Sequence, residues 1–342
     1  MQSEALLHRP DTTSEPILTV ENLKAYYTTK AFGIDRDIRA VDDISLTIAK
    51  GEIYGVAGES SSGKTSLIKT IVGAIRPPLH VVAGTVRFNF GGQTYDIYDL
   101  KPNELQAIRW RHLSYIMQGS MNVLNPVRRI KHSFYDFAFA HMRLDRASFW
   151  NKVRDHLRKL DLDPGVLDSY PHQLSGGMRQ RTTIALATVC TPEFIVADEP
   201  TTALDVIVQR DVLTMLRDIQ RDLGSSFLFV THDMSVHATV SDRVGIVYAG
   251  RLVEEADTPT LFRSARHPYT QHLVASLPKI GDTTRRASLA GRPPSLADPP
   301  SGCRFHPRCP LAMDICSRQV PVMTSLTPRH RVACFAVTGA TP

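Results

Sequence analysis

No stretch of the sequence approaches the run of roughly 20 apolar residues that a helix needs to cross a bilayer, so a role in transport would place the membrane-spanning part in other chains. Residues 1–16 are polar, carry Glu4, Asp11 and Glu15, and lack the basic-then-apolar layout of a secretory signal; a flexible N-terminus on a cytosolic chain is expected. Cysteine is scarce: of five, only Cys190 precedes Cys303, which fits a reducing compartment where disulfides are disfavoured. Cys190 follows the apolar run Ile184-Ala185-Leu186-Ala187-Thr188-Val189 and reads as a small hydrophobe filling core space. No internal repeat of roughly 20–50 residues occurs, so the chain holds one copy of its main unit. An even charge distribution is missing too. From Arg263 onward there are 11 Lys/Arg against 3 Asp/Glu, a net +8, which leaves −2 for residues 1–262 of a chain whose total is +6. Such a tail suits anionic lipid, nucleic acid, metal-bound thiolates or plain solvent.

What is present begins with short apolar segments at Ile17–Val20, Ile44–Ile48, Ile53–Ala57 and Val86–Phe90, bounded by turn formers. They predict an antiparallel β layer feeding the glycine-containing loop at Gly58. Residues 65–75 read as a helix, with Leu67, Ile68, Ile71 and Val72 on one face. A mainly helical region is expected from about 98 to 188, where Phe149, Trp150, Val153, Leu157 and Leu160 recur at helical spacing as a packing stripe. Phe194–Ala197 and Phe227–Val230 read as central parallel strands covered on both faces. Past Arg263, Pro293-Pro294 and Pro299-Pro300 mark a loop-rich appendage. The expected division is therefore residues 17–262 as one domain and 263–342 as an extension.

The loop Gly58-Glu59-Ser60-Ser61-Ser62-Gly63-Lys64-Thr65 fits G-x-x-x-x-G-K-[ST] in the strand–loop–helix setting that gives the pattern its meaning. Glycines let backbone N–H groups turn toward phosphates and the helix start adds partial positive charge. Lys64 supplies a full charge to the β/γ-phosphates and the Thr65 hydroxyl is placed for Mg²⁺. Ser60, Ser62, Gly63 and Ser66 complete the predicted cradle. Asp198-Glu199 ends the apolar strand Phe194–Ala197, so a strand end delivers both carboxylates to the nucleotide edge of a sheet. Asp198 is expected to hold Mg²⁺ and Glu199 to polarise the attacking water; the alternative is that Glu199 only caps the next helix.

Leu174-Ser175-Gly176-Gly177-Met178-Arg179-Gln180-Arg181 precedes that strand, and together with the phosphate loop it makes the chain resemble the nucleotide-binding subunits of ABC transporters. The resemblance implies an α/β P-loop ABC ATPase domain: a parallel-sheet core, an antiparallel β layer and an inserted helical subdomain. It also implies roles residue by residue. Gln118 would sense Mg²⁺ and the attacking water, and His232 would contact the γ-phosphate. Asp205, in Thr201-Thr202-Ala203-Leu204-Asp205, would reach across a dimer. Tyr27 would stack on adenine, with Tyr26 as its competitor. Ser175, Gly176 and Gly177 would contact ATP bound to an opposite subunit, so two such domains would close head-to-tail on two ATP molecules.

Gly58-Glu59-Ser60, Asp198-Glu199-Pro200-Thr201-Thr202-Ala203-Leu204-Asp205-Val206, His267-Pro268-Tyr269-Thr270 and the tail run Pro299–Pro310 are similar to the ATPases of oligopeptide/dipeptide importers. That likeness implies a homologous but different partner ATPase, two permeases, an extracytoplasmic binding protein, and a peripheral place on the cytoplasmic face of the inner membrane. The segment Gly119–Pro126 would dock the permeases. Similar ATPases serve importers of nickel, opines and oligosaccharides. A soluble ABC ATPase acting on nucleic acid or ribosomes is disfavoured, because such chains carry two cassettes or a long coiled-coil insertion, and no nucleic-acid partner is expected.

The cysteines Cys303-x₅-Cys309-x₆-Cys316-x₁₇-Cys334 do not match the paired C-x₂-C spacing of zinc ribbons. Four thiolates suit Fe–S or Zn²⁺. The resemblance favours a [4Fe–4S] cluster, with Zn²⁺ or unligated thiols as alternatives, and Arg304, Arg308 and Arg331 are expected to offset the cluster's charge.

Overall fold

The computed structural model describes residues 15–31, 34–119, 123–202, 204–277, 289 and 291–339. Residues 1–14, the 120–122 part of the expected docking segment, Ala203 and most of 278–290 lie outside them.

Two long strands, β1 (Pro16–Ala31) and β2 (Ile34–Ala49), pair antiparallel. Then come β3 (Ile53–Ala57) and α1 (Lys64–Ile71), followed by β4 (Leu79–Phe90) and β5 (Gln93–Asp96). The antiparallel layer has the order β2-β1-β4-β5. β3 was expected to belong to this layer, but it does not. Its five residues are all buried, and it runs parallel to strands on either side in the larger sheet. A continuous apolar run covered on both faces suits that position, whereas an alternating one would suit the outer layer. α1 stops at Ile71 rather than 75, because Gly73 takes a left-handed φ of 66° and turns the chain away.

The region expected to be helical holds α2 (Pro102–Ile108), α3 (Ile130–Ala138), α4 (Arg146–Lys159) and α5 (Gly176–Thr188). It also contributes β6 (Leu113–Ile116) to the large sheet. Phe149, Val153 and Leu157 of α4 are fully buried and pack with Phe134 and Ile184, so the stripe is core. Asp145 caps α4 by accepting from Ala147 N and Ser148 N.

The chain then forms β7 (Phe194–Asp198), α6 (Val206–Leu223), β8 (Ser226–Val230), α7 (Met234–Val240), β9 (Arg243–Tyr248) and β10 (Arg251–Asp257). Next are α8 (Thr258–Ser264) and α9 (Pro268–Ala275). β11 (Thr324–Thr327) and β12 (His330–Val332) close the sheet, whose order is β11-β12-β10-β9-β3-β8-β7-β6. The extension therefore adds strands to the edge of the large sheet. Two ion pairs fasten it, Arg331 Nε to Glu255 at 2.7 Å and Arg329 Nε to Asp257 at 2.6 Å, together with the contact of His330 Nε2 with the buried Glu254 Oε1 at 2.7 Å. Among the described residues no helix is long and apolar enough to cross a membrane.

Candidate functional site

Gly58–Thr65 joins the end of β3 to the start of α1, and two glycines make its path possible. Gly58 has φ 152° and a Cβ there would stand 2.1 Å from Val247 O; Gly63 has φ 101° and its Cβ would stand 2.0 Å from Ala40 O. Only glycine fits either place. Lys64 is buried, with Nζ donating to Gly58 O and Glu59 O at 2.8 Å each. Burial lowers its pKa, while Glu199, Asp198 and Glu59 pull it back up. The ammonium thus sits over the loop, facing the two carboxylates at the end of β7.

Those carboxylates have different surroundings. Asp198 is buried and accepts from Tyr115 Oη at 3.1 Å. Burial and the neighbouring Glu199 charge raise its pKa, against the opposing Tyr115 hydrogen bond and Lys64 charge. A divalent cation held by Asp198 and Thr65 would relieve that crowding of negative charge, so the donor set fits Mg²⁺. Glu199 has a left-handed φ of 47°, a conformation that costs a non-glycine residue about 1–3 kcal/mol and is typical of functional sites. Its carboxylate collects three donors: Gln118 Nε2 at 2.9 Å and Thr202 Oγ1 at 3.0 Å on Oε2, and His232 Nδ1 at 2.8 Å on Oε1. Burial alone would raise the Glu199 pKa. The His232 and Thr202 bonds and the His232 and Lys64 charges outweigh it and lower the pKa, so Glu199 stays ionised. Glu199 does not cap α6; Asp205 does, accepting from Ile207 N and Val208 N.

Four predicted residues from four distant parts of the chain, Lys64, Gln118, Glu199 and His232, therefore meet at one sheet edge. The structure adds roles for Tyr115, three residues before Gln118, and for Thr202, which stands inside the run Thr201–Asp205 but had no part expected of it at the site. Of the two tyrosines on β1, Tyr27 reaches the helix of the loop, with Oη 3.1 Å from Ser66 Oγ, while Tyr26 Oη donates to Asp42 at 2.6 Å.

Ser175 is the N-cap of α5, its Oγ accepting from Met178 N at 3.2 Å. Gly176 has open space where a Cβ would be, and Gly177 has only Val208 Cγ1 at 3.2 Å. Among the described residues no hydrogen bond joins this helix start to the Gly58–Thr65 loop of the same chain.

The five cysteines are free. Cys316 lies on α10 (Asp314–Arg318) and Cys334 directly precedes α11 (Phe335–Thr338). Burial pushes the Cys303 thiol up to about 11, and the nearby thiols of Cys316, Cys334 and Cys309 add to this. Yet among the described residues no group of three or more His, Cys, Asp or Glu is arranged to hold a metal ion. Nor are the three arginines turned to a cluster. Arg304 pairs with Asp42, Arg308 with Glu59 and Arg331 with Glu255, all carboxylates from residues 17–262. The arrangement thus gives no support to the [4Fe–4S] or Zn²⁺ expectation.

Two family models match the chain: ABC transporter over residues 41–202, and the oligopeptide/dipeptide transporter C-terminal region over residues 253–316. A dipeptide transport ATP-binding protein, DppD, of Caldanaerobacter subterraneus is 37% identical over 321 residues, covering 93% of this chain and 96% of that protein. A putative peptide import ATP-binding protein of Brucella abortus is 36% identical over 336 residues, covering 94% and 97%. Among solved structures, the ATP-binding cassette MJ0796 in a dimeric post-hydrolysis state matches with a TM-score of 0.59 at 24% identity, over 70% of this chain and 98% of that one. CbiO1 of Clostridium perfringens matches with a TM-score of 0.59 at 21% identity, over 73% and 92%. These two speak for the fold.

Proposed function

The chain belongs to the ABC transporter family of ATP-binding proteins, and from that membership we propose that it is the ATP-hydrolysing subunit of an importer of dipeptides and oligopeptides. The peptide reading is supported by the matched C-terminal region and by relatives, named for peptide transport, that the chain covers almost end to end. The observation that carries the chemistry is the single carboxylate, Glu199, held between Gln118 and His232 beside Lys64.

In this proposal Gly58, Ser60, Ser62, Gly63, Lys64, Thr65 and Ser66 cradle the phosphates of ATP, and Tyr27, the tyrosine that touches α1, stacks on adenine. Thr65, Gln118 and Asp198 would hold Mg²⁺, which would supply charge neutralisation to the phosphates. Glu199, ionised and held by three donors, accepts a proton from the attacking water. His232 donates from Nδ1 to Glu199, which leaves Nε2 to face the γ-phosphate. Ser175, Gly176 and Gly177 present the start of α5 to ATP on a homologous, different ATPase subunit, and Asp205 lies at the same junction. Closure on ATP and opening after hydrolysis would move two permease subunits served by an extracytoplasmic binding protein. The chain would sit peripherally on the cytoplasmic face of the inner membrane.

The four-cysteine tail enters this reading as scaffold. A [4Fe–4S] cluster or Zn²⁺ there is tested by iron, sulfide and zinc analysis of anaerobically prepared protein. The function itself is tested by uptake of labelled di- and tripeptides in cells lacking the chain. Wild type should restore uptake and Lys64→Ala should not; equal restoration by both would overturn the reading.

A further inference from the structure

The tail segment bracketed by Cys303 and Cys309 is fastened to both sides of the nucleotide loop. Arg308, with a side chain only 6% exposed, grips Glu59 with both arms: Nη1 to Oε2 at 2.8 Å and Nη2 to Oε1 at 3.1 Å. Nη1 also lies 3.2 Å from Tyr248 Oη. Tyr269 Oη accepts from the Glu59 backbone N–H at 2.8 Å. Phe305, buried, packs edge-on against Tyr248 at 5.1 Å and tilts against Tyr269 at 5.5 Å. Arg304 bonds Asp42 and Ala249 O, and the next residue, Gly250, donates its N–H to Ser62 O at 2.8 Å.

Glu59 is an awkward residue for its position. A phosphate loop works by presenting positive charge, and this one carries a carboxylate directly after its first glycine. Lys64 Nζ already reaches the main chain of Glu59, at 2.8 Å from its carbonyl oxygen. A carboxylate freed at this point would be drawn to the same ammonium and would compete with phosphate for it. The bidentate guanidinium opposes that by engaging both carboxylate oxygens, so that among the described residues they form no ion pair with Lys64, although their charge still raises its pKa.

We propose that Arg308 is a positioning residue for the nucleotide: by neutralising and orienting Glu59 it keeps Lys64 available to the phosphates. The inference rests on the assignment of Gly58–Thr65 as the phosphate site. It also gives the tail a role at the ATP site that needs nothing bound to its cysteines.

The test is a charge rescue, read as the Kd for MgATP by titration calorimetry on the full chain, with melting temperature followed in parallel. Arg308→Met should weaken binding about tenfold, the scale of one charge-assisted contact. Adding Glu59→Gln should return it to within about threefold of wild type, and Arg308→Lys should fall between. A mere strut would behave otherwise: the double variant would bind as poorly as Arg308→Met or worse, and that result, or unchanged binding in Arg308→Met, overturns the proposal. Should Arg308→Met fail to fold, Glu59→Gln alone decides. Binding at least as tight as wild type supports the proposal and weaker binding refutes it. Lys64→Ala separates the two levels. If it binds MgATP like wild type, the phosphate-site assignment falls and the positioning role with it; if it loses binding while Arg308→Met does not, only the positioning role falls.

Discussion

Replacing Glu199 by Gln removes a negative charge and a proton acceptor while keeping the side chain's shape. In the native site Oε1 takes the His232 bond and Oε2 the Gln118 and Thr202 bonds. A carboxamide keeps one acceptor oxygen, so one side of this arrangement must face an NH₂ group instead. That mismatch costs at most about 1 kcal/mol in a partly exposed site, and the melting temperature should fall by no more than about 4 °C. The catalytic cost is much larger. Loss of a general base slows proton transfer by roughly 10²–10⁴-fold, which is about 2.7–5.4 kcal/mol of barrier. ATP binding should survive, since Lys64 and the loop glycines are untouched. The assay is single-turnover hydrolysis of MgATP alongside its Kd, on the chain assembled with its partner subunits. Hydrolysis at least about 100-fold slower with Kd within about threefold is expected. Turnover within about fivefold of wild type would remove Glu199 from the role and leave His232 or a bound water network as the group to examine.

Three further outcomes are expected. Gly63→Ala should destabilise the chain by at least about 2 kcal/mol, because a Cβ at φ 101° would stand 2.0 Å from Ala40 O; denaturant titration checks this. Phe305→Ala should cost about 3–5 kcal/mol and loosen the tail from Tyr248 and Tyr269, read as faster limited proteolysis after Arg304 or Arg308. Acid should unfold the protein through three histidines that burial keeps neutral: His156 and His237 are lowered to about 4 and His267 to about 3. These groups contribute nothing above about pH 6.5, where both states are neutral. Below it the unfolded chain takes up protons that the folded chain refuses, so stability falls as pH drops toward 4. His237→Asn should flatten that slope by about one proton, measured as melting temperature against pH.

The grouping proposed as the nucleotide site could be read in the sequence because its residues come in short runs whose spacing is itself the geometry. Gly58–Thr65 joins one strand to one helix, and Asp198-Glu199 sits at the end of one strand. Gln118 and His232 followed from resemblance, and the fold brings both to Glu199. Sheet membership was less legible. β3 is a short apolar run like its neighbours in sequence, and only its burial on both faces assigns it to the central sheet. The arginines of the tail were misread for a related reason. A sequence shows that Arg304 and Arg308 adjoin cysteines, but not that Asp42 and Glu59 lie across the fold from them. Tyr115 and Thr202 gave no signal of their own, since a hydroxyl near a motif acquires meaning only from the bond it makes.

The most direct measurement is mass spectrometry of the complex retrieved with this chain from gently solubilised native membranes. An ATPase subunit of a peptide importer should bring with it two permease-type membrane proteins, a second ABC ATPase and an extracytoplasmic peptide-binding protein. Recovery only from the soluble fraction, with none of these, would contradict the transport assignment while leaving the ATP chemistry to stand on its own tests.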